Sequence, residues 1–277
     1  MIKIDRCLAK CRRPDHGDIL ITATRAALQA GAIIRDLYGK PHRIRHKGDI
    51  DLVTEADLAA EKAILEILHK TPHDADILSE ESDKPDNLDT SGAIWIIDPL
   101  DGTTNFAHNF PWFGVSIAYF AEGKSLAGVI YCPLQDELFC ACQGAGAWLN
   151  NHPIQVSRVK SCQDALVATG FPYDIQSRPD EIMATLKAVI PKVQGIRRPG
   201  AAALDLAYLA CGRLDAFWEV GLKPWDTAAG QLLVEEAGGA ISNFNGKPFS
   251  PFIPELLASN TIIHRELIDI LKDFSSF

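Results

Sequence analysis

Trp95-Ile96-Ile97-Asp98-Pro99-Leu100-Asp101-Gly102-Thr103-Thr104-Asn105-Phe106 is the segment on which both fold and chemistry turn in this 277-residue chain. The apolar run Ala93 to Ile97 reads as a buried strand. It leads straight into two acids three residues apart, with Pro99 and Gly102 shaping a turn. Asp98 and Asp101 can both face one pole while Leu100 offers a backbone carbonyl, and Mg²⁺ prefers such hard oxygen donors. If Gly102, Thr103 and Thr104 open a helix, their amides point at an anion. An ordinary Asp/Gly turn is the plainer reading, and the segment alone leaves both open.

On its N-terminal side, Ile19 to Tyr38 repeats apolar residues at helical spacing and stops at Gly39-Lys40-Pro41. Glu55 to His69 is again helical, with Thr54 as N-cap. Asp76 to Ser79 is a second short buried strand. On the C-terminal side, Phe113 to Phe120 and Ser125 to Cys132 read as a hairpin, and Leu138 to Cys142 and Ala147 to Leu149 extend its sheet. Helices are expected over Asp180 to Val193, Ala201 to Cys211, Asp226 to Ala237 and Glu266 to Phe274, with a strand from Ala216 to Glu219. The pattern is mixed α and β in layers, divided near residues 157–164. Residues 1–18 carry Lys3, Arg6, Lys10, Arg12 and Arg13 and read as a basic extension ahead of the fold.

Further acids stand at element ends. Glu80 and Glu81 follow a strand directly, and adjacent side chains on extended backbone point different ways. Glu219 closes a strand, and Asp226 opens a small-residue helix after Pro224, where an N-cap is the bland alternative. Asp57 lies on the first turn of a helix, where compensation of the helix dipole is the bland alternative.

Composition narrows the function classes. The chain is 47% hydrophobic and carries a net charge of −9, which argues against a general nucleic-acid binder. No apolar run is long enough for a membrane span, and no apolar segment marks a secretory signal. Seven cysteines without a paired Cys-x-x-Cys pattern read as reduced structural thiols, which favours the cytoplasm. The histidines form no zinc pattern, Ser79 and Ser82 lack a nucleophile elbow, and Gly144-Ala145-Gly146 lacks the spacing of a nucleotide loop. His108 and Asn109 either flank the mouth of a site or are structural.

Taken in order, Asp51 to Asp57, the acidic pair, Asp98 to Phe106 and Trp225-Asp226 resemble the inositol monophosphatase family from about Ile19 to the C-terminus. Arg197-Arg198-Pro199-Gly200-Ala201-Ala202-Ala203-Leu204-Asp205 is similar to its bacterial branch. That resemblance implies one catalytic domain over residues 19–277 with a layered α-β-α-β-α sandwich of the sugar-phosphatase type. It implies two or three Mg²⁺ per site, the first on Glu80, Asp98 and the Leu100 carbonyl, the second on Asp98, Asp101 and Asp226. The amides of Gly102 and Thr103 would hold phosphate, and Thr103 with Asp57, aided by Glu80, would activate water. Asp101, Ala202, Glu219 and Asp226 would face the substrate, and Lys47 matches a basic residue near the metals. Glu81 matches the family's second glutamate.

The implied activity is hydrolysis of inositol monophosphate or a related small polyol or sugar phosphate, by a lithium-sensitive homodimer. Fructose-1,6-bisphosphate, histidinol phosphate and adenosine 3′,5′-bisphosphate are the alternatives within the fold. A partner of the transcription machinery is the alternative from another class.

Overall fold

In the computed structural model, which describes residues 4–40, 44–46, 52–72, 74–82 and 90–275, the chain opens with helices α1 (Asp5–Leu8) and α2 (Pro14–Leu37). Pro14 holds the first helical position, where its missing N–H leaves no bond unmade. The first long helix therefore starts five residues before the expected Ile19. Ile4 and Cys7 have no exposed surface, and Leu8 and Cys11 pack beside them. Residues 4–18 thus form part of the first layer rather than an extension in front of it. An apolar stripe at spacings of three and four underlies the basic side chains there, and the charges masked it.

Strands β1 (Ile44–His46) and β2 (Leu52–Thr54) pair antiparallel and lead into α3 (Glu55–Leu68). Thr54 caps that helix: its Oγ1 accepts the Ala56 N–H at 3.1 Å, and Asp57 returns a carboxylate oxygen to the Thr54 N–H at 2.8 Å. The small buried faces of α2 (Ala23, Ala27, Ala30) and α3 (Ala56, Ala60) let both helices lie close on Trp95, Ile97, Val115 and Val129.

Those four residues belong to a seven-stranded sheet among the described residues. It runs in sequence order through β3 (Asp76–Ser79), β4 (Ile94–Asp101), β5 (Gly114–Ala121), β6 (Lys124–Cys132), β7 (Glu137–Cys142), β8 (Ala147–Leu149) and β9 (His152–Ile154). Helix α4 (Thr103–Ala107) interrupts the passage from β4 to β5. Within this sheet, among the described residues, only β3 and β4 pair in parallel. The β5–β6 hairpin turns on Glu122 and Gly123, both at positive φ, the geometry that matches strand twist.

After residue 155 the chain builds the second half. Its sheet has the order β11-β10-β12-β14-β13, from β10 (Leu166–Thr169), β11 (Gly195–Arg197), β12 (Ala216–Val220), β13 (Ala240–Ser242) and β14 (Glu255–Ser259). Helices α6 (Ala202–Ala210) and α7 (Pro224–Glu236) fill the space between the sheets. Helices α5 (Pro179–Val189) and α8 (His264–Leu271) cover the far face, where Val189, Leu267 and Leu271 bury against Val167, Ala216 and Trp218. The layers run α-β-α-β-α. In this second sheet only β12 is read from sequence; all five strands are short and carry little period.

All seven cysteines are free thiols. Four gather where α1 meets β7: Cys7, Cys140 and Cys142 are buried together with Cys11 packed against them, and the Cys11 thiol donates to the Cys7 carbonyl at 3.6 Å. Among the described residues no helix is long and apolar enough to cross a membrane.

Candidate active site

A β-bulge creates the acidic centre. Along β4, Ile94 and Ile96 pack toward the middle helices, while Trp95, Ile97 and Leu100 pack toward α2 and α3. In a regular strand residues three apart face opposite sides. Here Asp98 aligns with Ser116 and Asp101 with Gly114, so β4 carries one residue more than β5 across that interval. Pro99, with no N–H to donate, sits within the irregularity at no cost to the ladder. The extra residue resets the phase and turns both acids toward the middle layer.

The turn after β3 and the start of α7 deliver two more acids to the same place, and hydrogen bonds fix them beside the β4 pair. The Glu80 N–H bonds to the Ile97 carbonyl at 3.1 Å, continuing the parallel register that sets Glu80 beside Asp98. Asp101 caps α6, its Oδ2 accepting the Ala203 N–H at 2.8 Å. Asp226 is the third residue of α7 rather than its cap, and it accepts the Lys223 N–H at 2.7 Å.

Burial pushes Asp98 well above the usual carboxylate range, and the charges of Glu80, Asp101 and Asp226 add to it. Asp226 is raised likewise, by burial and then by Asp101, Glu80 and Glu219. Asp101 is pushed up to about 7 by burial, held down in part by the α6 amides. Like charges so confined resist joint ionisation unless a cation joins them. A set of buried and half-buried, mutually repelling oxygen donors fits a hard divalent cation. Among the described residues no three of these side chains close into a ready-made ligand group; what unites them is charge coupling.

Thr103 and Asp57 lie at the edge of this centre. The Thr103 hydroxyl is 2.8 Å from Asp57 Oδ1 and 3.0 Å from the Leu100 carbonyl, and the Leu100 N–H bonds to Asp98 at 3.0 Å. Burial raises the pKa of Asp57 against the pull of the Thr54 and Thr103 hydrogen bonds.

A cleft of about 360 Å³ opens over these groups, a volume suited to a small ligand. Glu80, Asp101, Gly102, Thr103, Ala202, Glu219 and Asp226 line it, whereas Asp57, Asp98 and Leu100 lie buried behind its floor. Gly102 adopts φ +94°, and a Cβ there would stand 2.9 Å from the Trp112 carbonyl, so only glycine fits where α4 begins. Gly170 makes room in the same way, since a Cβ would overlap the Glu219 carboxylate.

Several residues of the site have no role assigned from sequence. Phe171, Tyr173 and Arg198 form one wall, with the Arg198 guanidinium 5.0 Å from the Phe171 ring centre. Arg198 lowers the pKa of both Glu219 and Asp205. Asp205 is buried with Oδ1 unpaired, and burial holds it well above the usual range. The Arg197–Asp205 run was the available signal, but it marked a branch resemblance rather than a contact. Lys47 and Asp51 lie outside the described residues. Asn109 stands at positive φ with its carbonyl accepting from Tyr38, a structural bond.

Comparison with known proteins finds matches over nearly the whole chain. A profile of the inositol monophosphatase family matches residues 15–275. The chain is 46% identical over 250 residues to an inositol-1-monophosphatase of Synechocystis, covering 90% of this chain and 87% of that one. It is 38% identical over 257 residues to the Nus factor SuhB of Escherichia coli, covering 92% and 96%. Its fold superposes on the inositol monophosphatase structure from Anabaena with a TM-score of 0.83 at 42% identity, over 92% of this chain and 96% of that one.

Proposed function

The chain belongs to the inositol monophosphatase family, and from that premise we propose that its cleft hydrolyses inositol monophosphate or a related small polyol phosphate with Mg²⁺ bound. It is a phosphatase by family. The observation that carries the finer reading is the convergence of Glu80, Asp98, Asp101 and Asp226 beside the Thr103–Asp57 pair.

Glu80, Asp98 and the Leu100 carbonyl would hold one Mg²⁺, and Asp98, Asp101 and Asp226 another. Bound there, the metals supply charge neutralisation of the phosphoryl group and acidify water. The chain's own residues do the rest. The amides at the start of α4 receive phosphate oxygens. With its hydroxyl hydrogen-bonded to Asp57 Oδ1, Thr103 presents an oxygen lone pair to the attacking water and takes the water's proton as it passes its own to Asp57 Oδ1. The raised pKa of Asp57 makes it a stronger base for that transfer than an exposed aspartate. Glu219 and the Ala202 backbone receive hydroxyls of the leaving group, with Arg198 favouring the ionised form of the buried Glu219.

Phosphate release from a panel of inositol, sugar and nucleotide phosphates, with Mg²⁺ and with chelator, tests the reading. Turnover confined to polyol phosphates and abolished by chelator supports it; full activity in chelator overturns it. Lithium inhibition and a dimer in solution are expected alongside. The Escherichia coli relative is named a Nus factor, so a second role as partner of the transcription machinery is the other reading. Capture of transcription proteins by the purified chain supports that role.

A further inference from the structure

We propose that Glu61 is a positioning residue of this site, fixing the turn that carries Glu80 so that its carboxylate is held beside Asp98. The inference rests on the reading of Glu80 as a metal ligand. Glu61 lies on α3, one helical turn beyond Asp57 and on the same side. It is 8% exposed, and its Oε1 accepts two hydroxyls, from Ser79 at 2.5 Å and from Ser82 at 2.9 Å. These serines flank the Glu80-Glu81 pair on either side. Among the described residues they are the partners Glu61 has.

A carboxylate buried against hydroxyls is an expensive way to fasten a loop. A leucine filling the same space would bury more cheaply. What the carboxylate adds is directionality: one oxygen grips both ends of a four-residue turn and leaves the glutamates between them little freedom. The β3 register holds the near end, through the Glu80 N–H on the Ile97 carbonyl, but among the described residues the ladder does not hold the far end beyond it. Ser82 on Glu61 does that. Helix α3 thereby sets two parts of the site from one rigid element, with Asp57 placing Thr103 and Glu61 placing the acidic turn.

The variants Glu61→Leu, Glu61→Gln and the double change Ser79→Ala with Ser82→Ala test this. Two readouts serve: the Mg²⁺ concentration for half-maximal activity, and the Mg²⁺ concentration for half-maximal rise in melting temperature. Glu61→Leu and the serine pair should each need about tenfold more Mg²⁺ by both measures. The KM for substrate at saturating Mg²⁺ should change less than about twofold, and Glu61→Gln, which keeps an acceptor oxygen, should recover most of the loss. Unchanged Mg²⁺ dependence in both Glu61→Leu and the serine pair overturns the inference. Should Glu61→Leu fail to fold, the serine pair decides alone. Glu80→Gln separates the two levels. If it keeps parental Mg²⁺ dependence, the underlying reading of Glu80 fails; if it collapses while the Glu61 and serine variants behave as the parent, this inference alone fails.

Discussion

Asp57 and Thr103, 46 residues apart, are joined by a 2.8 Å hydrogen bond to Oδ1, while Oδ2 of the same carboxylate takes both the N–H and the hydroxyl of Thr54. One oxygen serves the cleft and the other the helix cap. The two roles separate by mutation. Thr54→Ala removes the cap hydroxyl and should cost about 1 kcal/mol of stability, a melting shift of roughly 2–4 °C at this size, with little effect on turnover. Asp57→Asn should lower kcat by about 10²–10⁴ while melting no lower than Thr54→Ala. Comparable losses of kcat in the two variants would show that Asp57 acts only as a cap.

Asp98 is the most confined of the acids, with three charged neighbours raising its pKa beyond the effect of burial. Asp98→Asn keeps the shape and removes a charge that the metal-free fold resists. The variant should melt at or above the parent temperature without metal, gain less from added Mg²⁺, and lose at least ~100-fold in turnover. Substantial retained activity would remove Asp98 from the metal centre.

How much of this was legible in the sequence depends on the kind of signal. The acids of the site were legible because each stands where a periodic run ends, and together they carried the family resemblance. What put Asp98 and Asp101 on one face was not: a spacing of three predicts opposite faces on a strand, and only the extra residue against β5 reverses that. Asp226 reads as a helix start, yet α7 begins at Pro224 and uses the acid from inside its first turn. The Arg197–Asp205 run marked a branch but not the roles of Arg198 and Asp205, which depend on the Phe171 ring and the Glu219 charge, distant in sequence. The α1 segment was lost beneath its own charges.

The thiols give a prediction away from the cleft. Cys11 and Cys211 are both partly exposed, but hydrogen bonds from Cys142 and Cys7 lower the Cys11 pKa, whereas burial raises that of Cys211. The thiolate is the reactive form. At pH 6, limited iodoacetamide should modify Cys11 well before Cys211, read by mass mapping of peptides. Preferential labelling of Cys211 would contradict the hydrogen-bonded arrangement around Cys11.

His264 makes the second sheet sensitive to acid. Its ring bridges Ser242 at 2.9 Å and Ser259 at 2.8 Å, and burial lowers its pKa from 6.5 to about 4. The unfolded chain takes up the proton first as pH falls. The contribution of the neutral ring is therefore complete above about pH 6.5 and is lost progressively toward pH 4, by up to ~2 kcal/mol after allowance for its partial exposure. His264→Gln should lower stability at pH 7 and flatten this part of the pH profile, measured by urea unfolding at pH 7, 5.5 and 4.5. An unchanged slope would assign the acid sensitivity to other groups.

Glu219 decides whether the polyol reading holds at residue level. It lies at the end of β12, buried, with a pKa raised to about 8 by burial and by Asp101 despite the opposing charge of Arg198. It reaches the cleft only because Gly170 has no side chain to block it. Asp226, seven residues on, lines the same cleft from the start of α7. Glu219→Gln should therefore leave Mg²⁺ dependence near that of the parent. Assayed above about pH 8, where Glu219 is ionised, it should reduce kcat/KM for a polyol phosphate by the equivalent of about 1.5–3 kcal/mol, the weight of a hydrogen bond to a charged group. An aryl phosphate, which lacks the hydroxyls Glu219 would receive, should be affected much less. Steady-state kinetics on both substrates measures the difference directly. Equal losses on the two, or a shift in Mg²⁺ requirement, would move Glu219 into the metal-binding or structural part of the site and leave the leaving-group specificity to Arg198 and the Phe171 wall.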